Sequence, residues 1–208
     1  SLQIGQKVVM HWMKGSGIES DFPEYVFRGK KISSGKVTTI GEYSICSENR
    51  LTPVGYAVPS ELCSLLGCGM TTALGAINNE AEVKIGENAL VLGCGGLGLN
   101  LIQGLRMVGA NEIAVADIQD KKELAKINGA DYFVCLKDKN LASLGDYDVI
   151  FDTTGHSVLI EEALKHLKDS GRFVMIGQPK SPINLDGLNL FGASGKQIIA
   201  TQGGKTNP

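Results

Sequence analysis

The residue types most suited to chemistry occur in one glycine-rich run, Gly93-Cys94-Gly95-Gly96-Leu97-Gly98. Its GxGxxG pattern is a weak signal alone, because the chain contains 27 glycines. The context strengthens it, since the apolar run Ala89–Leu92 precedes the glycines and a helical pattern follows them. In such a turn one glycine allows the tight bend, one lets phosphates approach the backbone and one lets helix pack on strand. N–H groups of the first helical turn then bind the phosphates. Unless the turn is merely structural, the pattern predicts a dinucleotide site at Gly93, Gly95, Gly96, Leu97 and Gly98.

An acidic residue follows at the distance that a ribose contact requires. Asp117 ends the apolar run Ile113–Ala116 and lies about 20 residues beyond the glycines. A carboxylate there accepts hydrogen bonds from ribose hydroxyls and repels a 2′-phosphate, which favours NAD over NADP. The alternatives are a solvated loop aspartate and the N-cap of the next helix. Lys121 and Lys122 come next; we assign Lys122 to the cofactor site, although a solvated helix face explains both lysines equally well.

The elements that must position these residues alternate from Asn88 onward. Short, continuously apolar strands between helices are typical of a parallel sheet covered on both faces. The fold class is therefore predicted as α/β, with a doubly wound, six-stranded Rossmann sheet. The expected strands are Ala89–Leu92, Ile113–Ala116, Tyr132–Cys135, Val149–Phe151, Phe173–Ile176 and Ile198–Thr201. The expected helices are Gly96–Val108, Asp120–Asn128 and Ser157–Lys168.

The first part of the chain is less regular. Its composition favours irregular, mostly antiparallel β structure, with an alternating strand-like segment from Thr38 to Ser47. A boundary is expected at Pro53 to Pro59. Ser60 is then predicted to cap a helix towards Leu66, and a second helix is predicted from Thr71 to Glu80.

Composition excludes several classes of partner. The net charge is −2, so nucleic acid and membrane surfaces, which select clustered basic residues, are not expected partners. No apolar run approaches the ~20 residues that span a bilayer, and the first residues lack a signal-peptide pattern. Five cysteines without a Cys-x-x-Cys pair favour a reducing, cytoplasmic location.

The run Leu66-Gly67-Cys68-Gly69-Met70-Thr71-Thr72-Ala73-Leu74-Gly75 resembles a segment of the zinc-containing medium-chain dehydrogenase/reductase family, which includes the alcohol dehydrogenases. In that family, Gly-Cys-Gly-x-[Ser/Thr]-Thr-x-x-Gly joins the catalytic and coenzyme domains. Further matches occur in family order and at family spacing across nearly the whole chain. They are Gly93 to Gly98, Val115 to Ile118, Phe151 to Gly155, Val174 to Pro179 and Thr201 to Gly204.

The resemblance implies roles that the residues alone do not reveal. It makes Cys68 one of three protein ligands of a catalytic zinc; without it, Cys68 reads as a buried apolar cysteine. It places Thr72 near the nicotinamide, as a catalytic residue. The further positions that it places along the dinucleotide are Thr154, Ile176, Gly177 and Gln202.

Two departures from the family pattern limit the zinc expectations. The chain has no Gly-His-Glu motif, which holds another catalytic zinc ligand in the family, and the stretch Trp12 to Phe27 has no cysteine for a structural zinc lobe. We expect no structural zinc, and catalytic zinc only in a longer protein. The resemblance thus describes a fragment, with part of a GroES-like catalytic domain over 1–59 and a Rossmann NAD-binding domain over 60–208.

The resemblance also implies a function. The full-length protein is expected to be an NAD- and zinc-dependent oxidoreductase that acts on a small alcohol or carbonyl compound, and this chain alone is expected to be inactive. Family members pair their last strand across a two-fold axis, so a homodimer through Gln197 to Gln202 is expected. The alternatives are a zinc-free quinone or enoyl reductase, which Cys68 and Asp117 disfavour, and a non-catalytic dinucleotide-binding module.

Overall fold

The computed structural model describes residues 2–32, 34–187 and 195–207. They form two compact units, one made of residues 1–71 with 206–208 and the other of residues 72–205. The helix Ser60–Leu66, which follows the boundary expected at Pro53 to Pro59, belongs to the first unit. The domain division expected at 59/60 refers to the family's domains, and it stays a prediction.

The first unit contains two small antiparallel sheets, as expected for part of a GroES-like domain. Strand β1 (Val8–Met10) pairs with β4 (Leu51–Pro53), and β2 (Tyr25–Phe27) pairs with β3 (Lys30–Ile32). An ion pair in this unit joins the buried Arg50 to the partly exposed Glu19, with Arg50 Nε 2.8 Å from Glu19 Oε1. The unit therefore relies on polar contacts as well as on its short strands.

Two local predictions for the first unit are wrong. Thr38–Ser47 forms no strand, because alternation alone does not supply a partner: Ile40 and Tyr43 are 99% and 91% exposed. Ser60 is not an N-cap but the first residue of α1 (Ser60–Leu66). The extended backbone of Pro59 already occupies the capping position, and no side chain accepts a hydrogen bond there.

The next helix, α2 (Gly69–Gly75), begins before the expected Thr71 and continues as a π-helical turn over Ala76–Glu80. The end predicted at Glu80 is confirmed. A π-helical turn is uncommon and often accompanies a functional site. Its last residue, Glu80, has a buried side chain.

The second unit is a six-stranded parallel sheet in the order β10-β9-β8-β5-β6-β7. Read outward from β5, this is the doubly wound order of a Rossmann sheet, so the predicted fold class is confirmed. The bounds of the strands are β5 Asn88–Leu92, β6 Glu112–Asp117, β7 Tyr132–Cys135, β8 Tyr147–Asp152, β9 Leu167–Met175 and β10 Gln197–Ala200.

The helices of this unit are shorter than predicted, except for the one after the glycines. Helix α3 (Gly96–Met107) agrees with the prediction to within one residue, whereas α4 is Lys122–Ile127. Helix α5 (Ser157–Ala163) tightens into a 3-10 turn, and β9 begins at Leu167, where helix was expected. Among the described residues, no single helix is long and apolar enough to cross a membrane. The bent pair of α1 and Gly69–Glu80 is long and apolar enough together, by length and composition only.

The core of the second unit lies on both faces of its sheet. Along β5, Ala89 and Val91 pack in the cluster that contains α3, while Leu90 and Leu92 pack in the cluster that contains α5. All four side chains are fully buried. Because successive strand residues point to opposite faces, both clusters require apolar residues, and this explains the continuous apolar runs.

We expect Leu101→Ala to lower the free energy of unfolding by about 2–5 kcal/mol, since it removes a fully buried side chain and leaves a cavity beside β5. Met107→Ala in the same helix is the matched control, because Met107 is 78% exposed; its change should stay within ~0.5 kcal/mol. Urea denaturation of both variants measures the difference. Equal effects of the two substitutions would contradict this packing of α3.

Candidate functional site

A cavity of about 660 Å³ lies beside the point where the strand order reverses, between β5 and β8. The chain runs from β5 outward to β6 and β7 on one side, and β8, β9 and β10 build the other side. The loops after adjacent parallel strands diverge at such a point and leave a crevice. The lining includes Gly93, Gly95, Asp117, Lys121, Thr153 and Thr154.

The glycine-rich loop is shaped by close packing at two of its glycines. A Cβ on Gly98 would overlap the carbonyl oxygen of Gly93, and a Cβ on Gly93 would overlap Thr153 Oγ1. Gly93 also has a φ of +95°, which side chains rarely adopt. A Cβ on Gly95 or Gly96 would meet open space. The first and last glycines therefore set the turn, and the middle two leave room next to the backbone.

The beginning of α3 is open to a ligand. Gly95 has an extended backbone, with φ −91° and ψ −168°, and no side chain caps the 12-residue helix. The first N–H groups of a helix have no partner within the helix, and they carry its partial positive charge. Because Gly95 also lines the cavity, these groups are placed to receive an anionic group such as a pyrophosphate.

The carboxylate of Asp117 lies next to this loop. Its Oδ2 accepts the Cys94 N–H at 2.7 Å, and its Oδ1 accepts the Gln119 N–H at 2.8 Å. Burial favours the neutral acid, but these two bonds and the ammonium of Lys121 outweigh it and lower the pKa of Asp117. Asp117 is therefore ionised at neutral pH and touches the cavity, as a ribose-binding acid must.

The structure brings Lys121 to the cavity rather than Lys122. Lys121 Nζ lies 3.3 Å from Asp117 Oδ2 and 3.1 Å from the carbonyl oxygen of Cys94. Lys122 is the exposed first residue of α4 and lies outside the cavity lining. Spacing alone does not distinguish adjacent lysines, because the direction of each side chain depends on where α4 begins. The role assigned to Lys122 stays a prediction.

A buried acid that sequence reasoning did not single out shapes the opposite wall. Asp152, at the end of β8, is fully buried. Its Oδ1 accepts the N–H and hydroxyl of Thr154 at 3.0 and 2.6 Å, and its Oδ2 accepts the Gly155 N–H at 3.0 Å. An acid ending an apolar strand before Thr-Thr-Gly was the available signal. Asp152 thus fixes Thr154, a predicted cofactor contact, at the cavity wall.

The remaining predicted site residues, including Gly96, Leu97 and Gly98 of the glycine loop and the predicted catalytic residue Thr72, lie outside the lining of this cavity. Thr72 is a buried residue of α2, and the half-buried Ile176 packs on the core. Gly177 follows it and donates its N–H to the carbonyl oxygen of Asp152 at 2.9 Å. Gln202 is exposed in the segment after β10. Their roles at a dinucleotide stay predictions.

A second unforeseen acid, Glu80, orders the segment that carries Gln202. Its Oε1 accepts the Thr201 hydroxyl at 2.8 Å, and its Oε2 lies 2.9 Å from Lys205 Nζ. The Glu80 side chain is only 4% exposed. At the end of a helix it reads from sequence as a solvated acid, so only the tertiary structure reveals this contact.

The predicted zinc ligand, Cys68, is exposed and lies between α1 and α2. The Thr71 hydroxyl donates to its carbonyl oxygen at 3.1 Å. In residues 2–32, 34–187 and 195–207, no three His, Cys, Asp or Glu side chains converge as a metal site. The described residues therefore do not fit a complete zinc centre, whereas the glycine loop and Asp117 fit a dinucleotide.

Residues 96–207 match the family model described as zinc-binding dehydrogenase, which covers more than half of the chain. The chain belongs to the zinc-binding dehydrogenase family. This confirms the resemblance to the zinc-type medium-chain dehydrogenases. The match begins at the first residue of α3, so it includes most of the Rossmann sheet.

Comparison with individual zinc-binding dehydrogenases agrees with this assignment. The chain is 34% identical over 155 residues to S-(hydroxymethyl)glutathione dehydrogenase of Paracoccus denitrificans, covering 67% of this chain but 41% of the relative. Benzyl alcohol dehydrogenase from Acinetobacter calcoaceticus superposes with a TM-score of 0.75 at 27% identity, covering 79% of this chain and 48% of that structure. The alcohol dehydrogenase zinc-binding domain protein from Burkholderia ambifaria gives 0.75 at 25% identity, with 79% and 47% covered. The chain thus spans less than half the length of these relatives.

We expect Gly98→Ala to destabilise the second unit by about 1–3 kcal/mol. The new methyl group would overlap the Gly93 carbonyl oxygen, and the backbone would have to shift to relieve the overlap. Gly96→Ala is the matched control: its Cβ meets open space, and alanine favours the helix. Thermal unfolding of both variants measures the effect. A Gly98→Ala variant as stable as the Gly96→Ala variant would contradict the close approach of α3 to β5.

Proposed function

We propose that residues 72–205 bind NAD(H) and form the coenzyme half of a zinc-dependent oxidoreductase that acts on a small alcohol or carbonyl compound. One observation carries the proposal: Gly93 and Gly95, which directly precede the open start of α3, line the same cavity as the ionised Asp117, at the reversal of strand order. Anion-binding N–H groups and a ribose acceptor are the two features that a dinucleotide requires. The names of the relatives, S-(hydroxymethyl)glutathione dehydrogenase and benzyl alcohol dehydrogenase, support this reaction class.

Different residues are assigned to different parts of the cofactor. N–H groups at Gly95–Leu97 would hold the pyrophosphate, and Asp117 would accept hydrogen bonds from the hydroxyls of the adenosine ribose. Thr154, which Asp152 holds in place, lines the same cavity on the β8 side. When bound, NAD supplies a nicotinamide ring that accepts or returns a hydride. The chain's own residues therefore orient the cofactor, and they do not supply the chemistry of oxidation.

Asp117 favours NAD over NADP by charge. Its carboxylate is 10% exposed, and it is ionised at neutral pH, so a 2′-phosphate placed beside it meets a negative charge in a partly desolvated site. Lys121 offsets part of this repulsion, so we expect preference for NAD rather than absolute exclusion of NADP.

The zinc chemistry of the whole protein needs more than the described residues. Cys68 is the predicted ligand in this chain, and a catalytic zinc site takes about three protein ligands. We propose that the full-length protein binds catalytic zinc, without a structural zinc, and that this chain alone does not oxidise alcohols. We also propose a cytoplasmic location, in keeping with five free cysteines.

Calorimetric titration tests the proposed binding. The unaltered chain should bind NAD more tightly than NADP. Asp117→Ala should weaken NAD binding about tenfold or more, since a hydrogen bond to a charged group contributes ~1.5–3 kcal/mol. Asp120→Ala is the control, because this neighbouring acid lies outside the cavity lining. Equal affinity of the unaltered chain for both dinucleotides would refute the specificity, and no binding at all would refute the function.

We further propose a homodimer that forms through β10. This strand is at the edge of the sheet, it pairs with β9 alone among the described strands, and Ile198 is 37% exposed. Edge strands offer unpaired backbone groups, and two-fold pairing satisfies both copies at once. In analytical ultracentrifugation the chain should sediment as a dimer and Ile198→Lys as a monomer. Ile127→Lys, on the exposed side of α4, should remain dimeric; a monomeric unaltered chain would contradict the proposal.

A further inference from the structure

We propose that Glu80 is a positioning residue that fixes the loop of residues 201–205, which follows β10, as a wall for the nicotinamide half of the dinucleotide. The inference rests on the proposed function and deepens it, because it gives a role in cofactor binding to a side chain outside the cavity lining. Glu80 would touch no part of the dinucleotide and would act through the 201–205 loop alone.

The 201–205 loop lies at the same edge of the sheet as the cavity. All six strands are parallel, so the loops that follow them leave the sheet at its carboxyl edge. The cavity lining includes the loops after β5, β6 and β8, where Asp117 is assigned to the adenosine ribose. A dinucleotide in this fold binds across the reversal of strand order. Its other half therefore extends over the loops after β8, β9 and β10, of which the 201–205 loop is the last.

Both oxygens of the Glu80 carboxylate hold this loop, one at each end. Its Oε1 accepts the Thr201 hydroxyl at 2.8 Å, and its Oε2 lies 2.9 Å from Lys205 Nζ. The Thr201 hydroxyl oxygen in turn accepts the Gly204 N–H at 3.1 Å, so the loop is also closed on itself. Because the Glu80 side chain is only 4% exposed, both ends of the loop are tied to a group that is packed inside the unit.

Asn79, the residue before Glu80, holds the same loop through its backbone. Its Nδ2 donates to the carbonyl oxygens of Gly204 and Lys205 at 3.1 and 3.2 Å. Asn79 and Glu80 are the last two residues of the π-helical turn at the end of α2. Such turns are uncommon and often accompany functional sites. Here the π-helical turn brings two adjacent side chains onto one loop, and together they fix where that loop lies.

The loop also lies directly on the backbone of α2. A Cβ on Gly204 would come within 2.7 Å of the Thr72 carbonyl oxygen and the Ala76 nitrogen, and Gly204 has a φ of +69°. A side chain would overlap the helix, so glycine allows this close approach. The exposed Gln202 lies two residues before Gly204 and one after Thr201. Its place at the carboxyl edge is therefore set by the contacts on either side of it.

The alternative is that Glu80 only stabilises the unit. In that case its removal would lower the stability but would leave the balance between the two halves of the dinucleotide unchanged. The positioning role predicts a selective effect instead. A loop released from Glu80 occupies its binding-competent position for only part of the time, and the apparent affinity falls by that fraction. ADP-ribose lacks the nicotinamide ring, so its binding should hardly change.

The test measures the binding of NAD and of ADP-ribose to variants of the full 208-residue chain by calorimetric titration. Thr201→Val removes the hydroxyl that Glu80 accepts and keeps a side chain of similar size. It should weaken NAD binding about five- to tenfold, which corresponds to a loop in place for about 10–20% of the time. ADP-ribose binding should stay within about twofold. Thr201→Ser keeps the hydroxyl and should return both affinities to those of the unaltered chain.

Two further variants separate the contacts of Glu80 from general stability. Glu80→Gln keeps an oxygen for the Thr201 hydroxyl but loses the charge opposite Lys205, so its NAD affinity should lie between those of the unaltered chain and Thr201→Val. Glu87→Gln is the matched control. Glu87 is also a largely buried, ion-paired acid, but it precedes β5 and lies at the opposite edge of the sheet. Its removal should lower stability and leave the ratio of the two affinities unchanged.

The outcomes distinguish this inference from the proposed function. If Thr201→Val weakens NAD and ADP-ribose equally, or leaves both unchanged, the positioning role of Glu80 is wrong. It is also wrong if Glu87→Gln changes the ratio as much. Binding of neither ligand to the unaltered chain would refute the proposed function. Hydrogen exchange of the Gly204 N–H in the ligand-free chain should be faster in Glu80→Gln, and unchanged exchange would overturn the inference whether or not NAD binds.

Discussion

The close approach of α3 to the end of β5 is the constraint on which the cavity depends. No atom larger than hydrogen fits between Gly98 and the Gly93 carbonyl, so the helix begins directly at the strand end. Because α3 begins so close to β5, its first turn lies beside the crevice between β5 and β8. The apolar faces of both elements, including Val91 and Leu101, then keep the helix in place. The open start of α3 thus follows from close backbone packing, and Asp117 and Lys121 hold Cys94 of the loop through its backbone N–H and carbonyl groups.

Buried acids give the surrounding loops their shape. Asp117 and Asp152 each end a parallel strand, and each accepts N–H groups from the turn that follows. Glu80 acts similarly through the Thr201 hydroxyl and Lys205. Burying a carboxylate costs free energy unless it is hydrogen-bonded. Each acid therefore favours the loop conformation that supplies its hydrogen-bond donors. In this site, glycines leave space next to the backbone, and the buried acids hold the surrounding loops through hydrogen bonds.

Local spacing was sufficient to predict the sheet and the glycine loop. The β7 bounds agree residue for residue, and α3 differs by one residue, because strong apolar patterns are bounded there by glycine or a polar residue. The strand predicted over Thr38–Ser47 failed, because pairing is a tertiary property that alternation does not contain. Helix α5 ended early because the apolar period continues into β9, and periodicity alone does not mark a change from helix to strand there.

The site shows the same division between local and tertiary information. The position of Asp117 beside the glycine loop was predictable, because this fold preserves the chain distance between that loop and the end of the second strand. The contacts of Asp152, Glu80 and Lys121 depend on side-chain directions and on distant elements, so the sequence offered residue types without partners. The family resemblance supplied roles for Cys68 and Thr72. The described residues neither complete a metal centre around the former nor bring the latter to the cavity lining.

The central claim is that the start of α3 and the end of β6 together bind one dinucleotide. Amide chemical shifts of the isotope-labelled chain, followed while NAD is added, test this most directly. The account predicts saturable shifts concentrated at Gly95–Gly98 and at Asp117–Gln119, with residues 2–32 little affected. Shifts absent from both segments, or centred in the first unit instead, would contradict the assignment of this crevice as the cofactor site.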